Sequence, residues 1–232
     1  MPFFILLLLL LPGSFQYQLT GVVNTSVNAA YFDLDGFDTS STIVATLHVK
    51  GSKVICYIDA GTWENWRSDA SKFPSSVKGR SNGWPGEKWL DVRQLSVLIP
   101  IMSARADMCK QKGFDVIEWD NVDGYDNSSG FSLKATDQLT YNRALAQMAH
   151  NVGLSVLLKN DLDQASMLQS SFDALLLEQC QQYHECSLAT PFISAGKPVW
   201  DVEYSNTYCK PYSGITVIQK TLDVTEWVRS CA

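Results

Sequence analysis

The sequence predicts a single α/β domain, a (β/α)8 TIM barrel, and three observations carry that prediction. Short apolar runs alternate with helical segments along the whole chain, which implies parallel βαβ units. Eight such runs can be placed, the number that closes a barrel, and 232 residues suffice for one such domain. Several of the runs end in carboxylates, where barrel enzymes present their chemistry. A doubly wound open sheet is the runner-up, but no Gly-x-Gly-x-x-Gly turn follows an early strand.

Phe15–Leu19 alternates as the first strand, and Ala29–Asp35 is the second, closed by Gly36. Thr39 or Ser40 can cap a helix running to about Lys50, and Lys53–Asp59 reads as the third strand. Residues 60–90 form a long loop holding Trp63, Trp66, Trp84 and Trp89, and loops of that length are usually functional. Asp91 is placed to cap a helix to about Lys112. The fourth strand lies in Gly113–Asp126, whose apolar start gives way to Glu118, Asp120, Asn121, Asp123 and Asp126. A helix from Thr136 or Asp137 to Asn151 leads to the fifth strand, Leu154–Asn160. A helix over 161–170 precedes the sixth, Asp173–Glu178, and a helix over 188–196 precedes the seventh, Pro198–Tyr204. Ile215–Lys220 is the eighth strand, and a helix near 223–229 is expected to finish the chain.

Residues 1–12 carry nine consecutive apolar residues from Phe3 to Leu11, too short for a bilayer span and similar to a secretory leader. The pattern is incomplete, since no Lys or Arg occurs before Lys50 and no small-x-small site follows. The domain is expected over residues 13–232 and the protein to be secreted, free of the membrane once the leader is removed. Sequons at Asn24 and Asn127 agree with this. Of six cysteines, Cys180 with Cys186 and Cys209 with Cys231 are the disulfide candidates, while Cys56 and Cys109 read as buried thiols. No metal and no cofactor is called for: no C-x-x-C pair exists, and His48, His150 and His184 stand far apart. A net charge of -6 makes nucleic acid a poor partner and a cationic ligand a good one. A monomer is expected.

Side chains repeat with period two along a strand, so 33/35, 57/59, 118/120 and 201/203 should be same-face pairs at strand ends. A carboxylate-lined bowl beside a tryptophan-rich loop has the composition of a sugar site, with rings to stack on pyranoses and acids for hydrolysis. Strand ends alone do not choose two acids from this set. Other chemistries fit less well: Trp119 occupies the first position of the one calcium-loop frame ending at Gly124, and no Gly-x-Ser-x-Gly elbow exists.

The motifs QYQLTG, FDLDGFDTS, VICYIDAGTWENWR, GWPGEKWLDVR, GFDVIEWDNVDGYDN, LLKNDLDQ, LEQCQQYHEC and GKPVWDVEYS, in that order, resemble glycoside hydrolase family 114. That resemblance implies a TIM-barrel endo-α-1,4-polygalactosaminidase acting without a cofactor on a cationic galactosamine polymer, with retention of configuration. It implies Asp120 as nucleophile and Glu178 as general acid/base. It also implies binding or supporting roles for Asp33, Asp35, Tyr57, Asn121, Asp123, Lys159, Asn160, Glu203 and Tyr204. Asp59 departs from the family pattern and adds a charge near the cavity floor. Trp119 departs too, beside Asp120. The alternative is a non-catalytic carbohydrate-binding barrel, which predicts that one of the two acids is missing; both are present.

Overall fold

The computed structural model describes residues 10–232; the first nine residues of the expected leader lie outside them. Strands β1 (Phe15–Gln18), β2 (Tyr31–Asp35) and β3 (Lys53–Asp59) come first, with helix α1 (Ser41–Val49) before β3. A hairpin follows, β4 (Thr62–Glu64) with β5 (Glu87–Trp89), then α2 (Leu95–Lys112), β6 (Val116–Asp120) and α3 (Ala135–Asn151). Next come β7 (Ser155–Lys159), α4 (Ala165–Leu168), β8 (Ala174–Glu178), α5 (Thr190–Ser194), β9 (Val199–Glu203), β10 (Thr216–Gln219) and β11 (Arg229–Ser230). The main sheet runs β1-β2-β3-β6-β7-β8-β9-β10-β11, parallel throughout except for antiparallel β11. This is the expected (β/α)8 barrel, and its helices cover the sheet's outer face.

Period-two alternation separates two apolar sets. Leu34, Cys56, Ile58, Ile117, Val156, Leu158 and Leu175 face the helices. Phe15, Tyr31, Ile55, Val116, Leu157, Leu176, Trp200 and Ile218 fill the barrel. At its base Trp200 stacks on Phe15, with ring centroids 5.0 Å apart, and its indole N–H donates to Gly13 O at 3.0 Å. Toward the other end the interior positions become Tyr17, Asp33, Tyr57, Glu118 and Lys159, so the filling turns from hydrocarbon to charge. That polar layer is the floor of the site.

Four expectations are corrected. The helix near 223–229 is absent: this stretch is a turn followed by β11. It closes the seam between β1 and β10, with the Leu19 and Thr20 N–H groups donating to Val224 O and Gln16 Nε2 to Glu226 O. Those backbone bonds take the groups a helix would have used. Cys56 and Cys109 are not thiols but a disulfide joining β3 to α2; Cys180–Cys186 and Cys209–Cys231 pair as expected. Strand and helix are adjacent here, and the Cα atoms lie 6.0 Å apart, within disulfide reach. The long loop is also not structureless, because β4 and β5 pair at its base. Asp91 does not cap α2; its carboxylate is taken by the Arg93 guanidinium at 2.7 Å, and the helix begins at Leu95. Ser40 caps α1 as expected.

Candidate active site

Asp120 ends β6 and Glu178 ends β8, and β7 runs between those strands carrying Lys159 at its own end. Lys159 is 1 % exposed, and its ammonium lies 3.4 Å from Asp120 Oδ1, 3.2 Å from Glu178 Oε2 and 3.0 Å from Glu118 Oε1. Burial acts to lower the Lys159 pKa, but Asp120, Glu118 and Glu178 together hold it well above the ordinary lysine range. It is a fixed cation between the two acids. Tyr57 donates its hydroxyl to Asp120 Oδ2 at 2.7 Å, and Asn121 N–H donates to Oδ1 at 2.8 Å. Tyr204 donates its hydroxyl to Glu178 Oε1. Each acid therefore has its own tyrosine and shares one lysine.

The chain turns sharply just past these groups. Asn121, Asn160, Asp161 and Gln179 take left-handed φ of 56°, 46°, 46° and 62°, so β6, β7 and β8 all end in strained backbone. The first turn needs a glycine at one point: Ala60 and Gly61 N–H donate to Asp120 O, and a Cβ on Gly61 would stand 1.6 Å from Asn121 O. The Asn160 side chain accepts from Glu178 N at 3.0 Å, tying the ends of β7 and β8. Above this floor opens a cavity of about 530 Å³, lined among others by Tyr17, Tyr57, Trp66, Trp84, Asp120 and Glu178. Two carboxylates at an open cleft, with aromatic rings beside them, is the arrangement for cleaving an acetal between sugars.

Comparison with known proteins decides the family. Residues 10–232 match Glycoside-hydrolase family GH114. The chain belongs to that family. It is a glycoside hydrolase. Aspergillus fumigatus Ega3, solved in complex with galactosamine, is 34 % identical, with a TM-score of 0.90 over 95 % of this chain and 96 % of that one. The glycoside hydrolase domain of PelA from Pseudomonas aeruginosa is 14 % identical, with a TM-score of 0.73 over 94 % and 98 %. Eubacterium rectale Amy13B, 8 % identical with a TM-score of 0.52 over 75 % and 50 %, shares the fold alone. Among curated proteins nothing matches the sequence.

The hydrolase does not bring every expected residue to the cavity. Asp120, Asn121, Asp123, Lys159, Asn160, Glu178, Tyr57, Tyr204 and Asp35 line it. Asp35, however, is bound by Arg67, whose guanidinium donates to both its oxygens at 3.1 and 2.7 Å and also pairs with Glu64. It anchors the β4–β5 hairpin. Asp59 is buried, accepting from Thr62 N at 2.7 Å and from Asn121 Nδ2 at 2.7 Å, so it orients Asn121 from behind. Burial, then Glu64 and Asp120, push its pKa well above the carboxylate range. Asp33 is wholly buried below Glu118 and neither of its oxygens has a hydrogen-bond partner. Burial, then the Glu118 charge, push Asp33 well above the carboxylate range.

Glu203 faces away. The interior residues of β9 are Trp200 and Val202, so Asp201 and Glu203 share a face, but it is the outer one. There Glu203 Oε1 accepts from Gln181 N at 2.8 Å and Asp201 Oδ1 from Cys180 N at 3.2 Å, holding the loop that follows Glu178. The aromatic loop also divides. Trp66 and Trp84 are exposed on the cavity, while Trp89 is buried and the Trp63 N–H donates to Ala70 O at 3.0 Å. Sequence reading missed Tyr17, whose hydroxyl accepts from Lys159 at 3.1 Å; period two from buried Phe15 would have pointed it inward.

Proposed function

We propose that this hydrolase is a secreted endo-acting glycosidase that cleaves α-1,4-linked galactosamine polymers with retention of configuration. The observation that carries the reading is Lys159 touching both Asp120 and Glu178. Their nearest oxygens can be no farther apart than 3.4 Å and 3.2 Å laid end to end. That bound fits the spacing of about 5–5.5 Å used in retaining enzymes and reaches only the lower edge of the range of about 6.5–9.5 Å used in inverting ones. Similarity at 34 % identity to an enzyme solved with galactosamine supports the substrate class, as does a cleft rich in carboxylates. Three disulfides among the described residues fit an oxidising compartment, and no described helix is long and apolar enough to cross a membrane.

In this mechanism Glu178 gives its proton to the glycosidic oxygen while Asp120 Oδ attacks the anomeric carbon. The C–O bond breaks, and a glycosyl ester forms on Asp120. Glu178, now ionised, takes a proton from water, and the hydroxide oxygen displaces Asp120. Lys159 and Tyr204 face the charge that appears on Glu178 after the first step, and Tyr57 keeps Asp120 aimed. The test is hydrolysis of galactosamine oligomers by the wild type, Asp120→Asn and Glu178→Gln. A loss of at least about a thousandfold is expected for each variant. A variant that turns over like the wild type would remove its residue from this scheme. Raising salt should weaken binding of the deacetylated polymer, and an affinity indifferent to salt would oppose charge recognition.

A further inference from the structure

Lys159 has three hydrogens to donate and four oxygens around it. Glu118 Oε1 at 3.0 Å and the Tyr17 hydroxyl at 3.1 Å take hydrogen bonds, while Glu178 Oε2 at 3.2 Å and Asp120 Oδ1 at 3.4 Å are ion-paired neighbours. The nearest of its three carboxylates is therefore Glu118, which performs no step of the proposed mechanism. Glu118 is 0 % exposed and is not among the residues lining the cavity, so it touches no sugar. Burying a carboxylate that never meets substrate is costly. An apolar residue would cost less there, as at Val116 on the same face of β6.

The chemistry supplies a reason for it. Glu178 must hold a proton when the acetal is cleaved, and Asp120 must not. A lysine ammonium 3.2 Å from Glu178 favours the ionised form of that carboxyl and so opposes the first requirement. The Glu118 charge works against the ammonium: its nearest oxygen can be no farther from Glu178 Oε2 than 3.0 Å and 3.2 Å laid end to end. We infer that Glu118 is a positioning residue for the reaction, neutralising Lys159 from within the barrel so that Glu178 keeps its proton near neutral pH while the lysine still faces both acids. The groups facing Glu118 are Tyr17 of β1, Asp33 of β2, Tyr57 of β3 and Lys159 of β7, with Asp120 two residues along β6. Burial, then the Glu118 charge, keep Asp33 well above the carboxylate range, and burial keeps both tyrosine hydroxyls well above theirs, so none of the three adds a second charge. Burial also raises Glu118, and Lys159 is the strongest force against that rise. Glu178 itself faces Lys159 and Tyr204, with Asp201 of β9 within electrostatic reach.

The inference rests on Glu178 as the general acid of the proposed function, and pH profiles separate the two. Glu118→Gln removes the charge and keeps both the shape and an oxygen for Lys159 to donate to. On a galactosamine oligomer, the alkaline limb of its kcat/KM profile should lie about one pH unit below the wild-type limb, with the acid plateau within about threefold. The same oligomer serves every enzyme, so its own amines titrate alike. Glu118→Asp restores the charge one methylene shorter, and its limb should stand within about 0.3 pH units of the wild type. Thermal unfolding checks that both variants are folded. An aryl α-galactosaminide with an acidic phenol departs without a proton from Glu178, so on it Glu118→Gln and the wild type should decline alike at high pH. A Glu118→Gln limb left in place, a loss equal at every pH, or the same displacement on the aryl glycoside would overturn the inference and leave the function standing. A Glu118→Asp limb displaced by about one pH unit would do the same, whether or not Glu118→Gln folds. A wild type that cleaves no oligomer, or a Glu178→Gln variant that cleaves it normally, would overturn both.

Discussion

Replacing Lys159 by Met keeps the length of the side chain and deletes the cation that pairs with Glu118, Asp120 and Glu178. Glu118 and Lys159 are almost fully inaccessible, with side chains 0 % and 1 % exposed, so solvent cannot replace the lost ion pair. Removing one partner of such a pair costs about 3–5 kcal/mol, a large part of the 5–15 kcal/mol that holds a domain together. The loss should depend on pH in a definite direction. Glu118 is already raised by burial, an effect that Lys159 opposes. Without Lys159 its folded pKa rises further above the unfolded value. A raised acid adds stability below its unfolded pKa of about 4.3 and loses it as pH climbs toward the folded value. Urea unfolding at about pH 7 should therefore show the full deficit of about 3–5 kcal/mol, and at about pH 4.5 a clearly smaller one. A deficit under about 1 kcal/mol, or one equal at both pH values, would refute the reasoning.

Three more perturbations follow from the same geometry. Tyr57→Phe deletes one hydroxyl bonded to Asp120 and should lower kcat by about tenfold with KM little changed, read from initial rates; a change in KM alone would make Tyr57 a binding group only. Gly61→Ala sets a methyl 1.6 Å from Asn121 O and must displace the turn carrying Asp120, so turnover should fall by about a hundredfold while circular dichroism keeps its α/β form; an active variant would show that the turn is slack. Burial, then Glu203, push Asp201 up to about 8, so its contribution to stability is greatest below about pH 4 and is lost as pH rises through about 8. Asp201→Asn should flatten the decline in Tm between about pH 5 and 9, and an unchanged slope would mean that Asp201 is ionised throughout.

The barrel was legible because its signal is redundant: apolar runs, intervening helical periods and turn residues all agree on the same eight parallel strands. The acids at the ends of β6 and β8 were visible as candidates from their place at strand ends, but choosing Asp120 and Glu178 needed the family resemblance. Parity gives pairs, not which face they take. That is why Asp201 and Glu203 were grouped correctly and placed on the wrong side: the bulk of Trp200 takes the interior of β9, and its neighbours point out. Asp35 and Asp59 stand at their strand ends as expected, but partners far along the chain, Arg67 and Asn121, occupy them. Spacing along the chain does not encode such partners. The Cys56–Cys109 bond was hidden for a related reason, since a strand and a helix that each read as apolar give no sign of where they cross. The seam near 223–229 imitated a helix because its local composition allowed one, while the edge of β1 demanded backbone partners instead.

In the proposed mechanism Asp120 forms the bond to the anomeric carbon while Glu178 handles the proton. A fluorinated galactosaminyl reagent that reacts but hydrolyses slowly would trap that state, and peptide mapping by mass spectrometry would locate it. The account predicts one sugar attached at Asp120. A label on Glu178, Asp123 or any other carboxylate would contradict it.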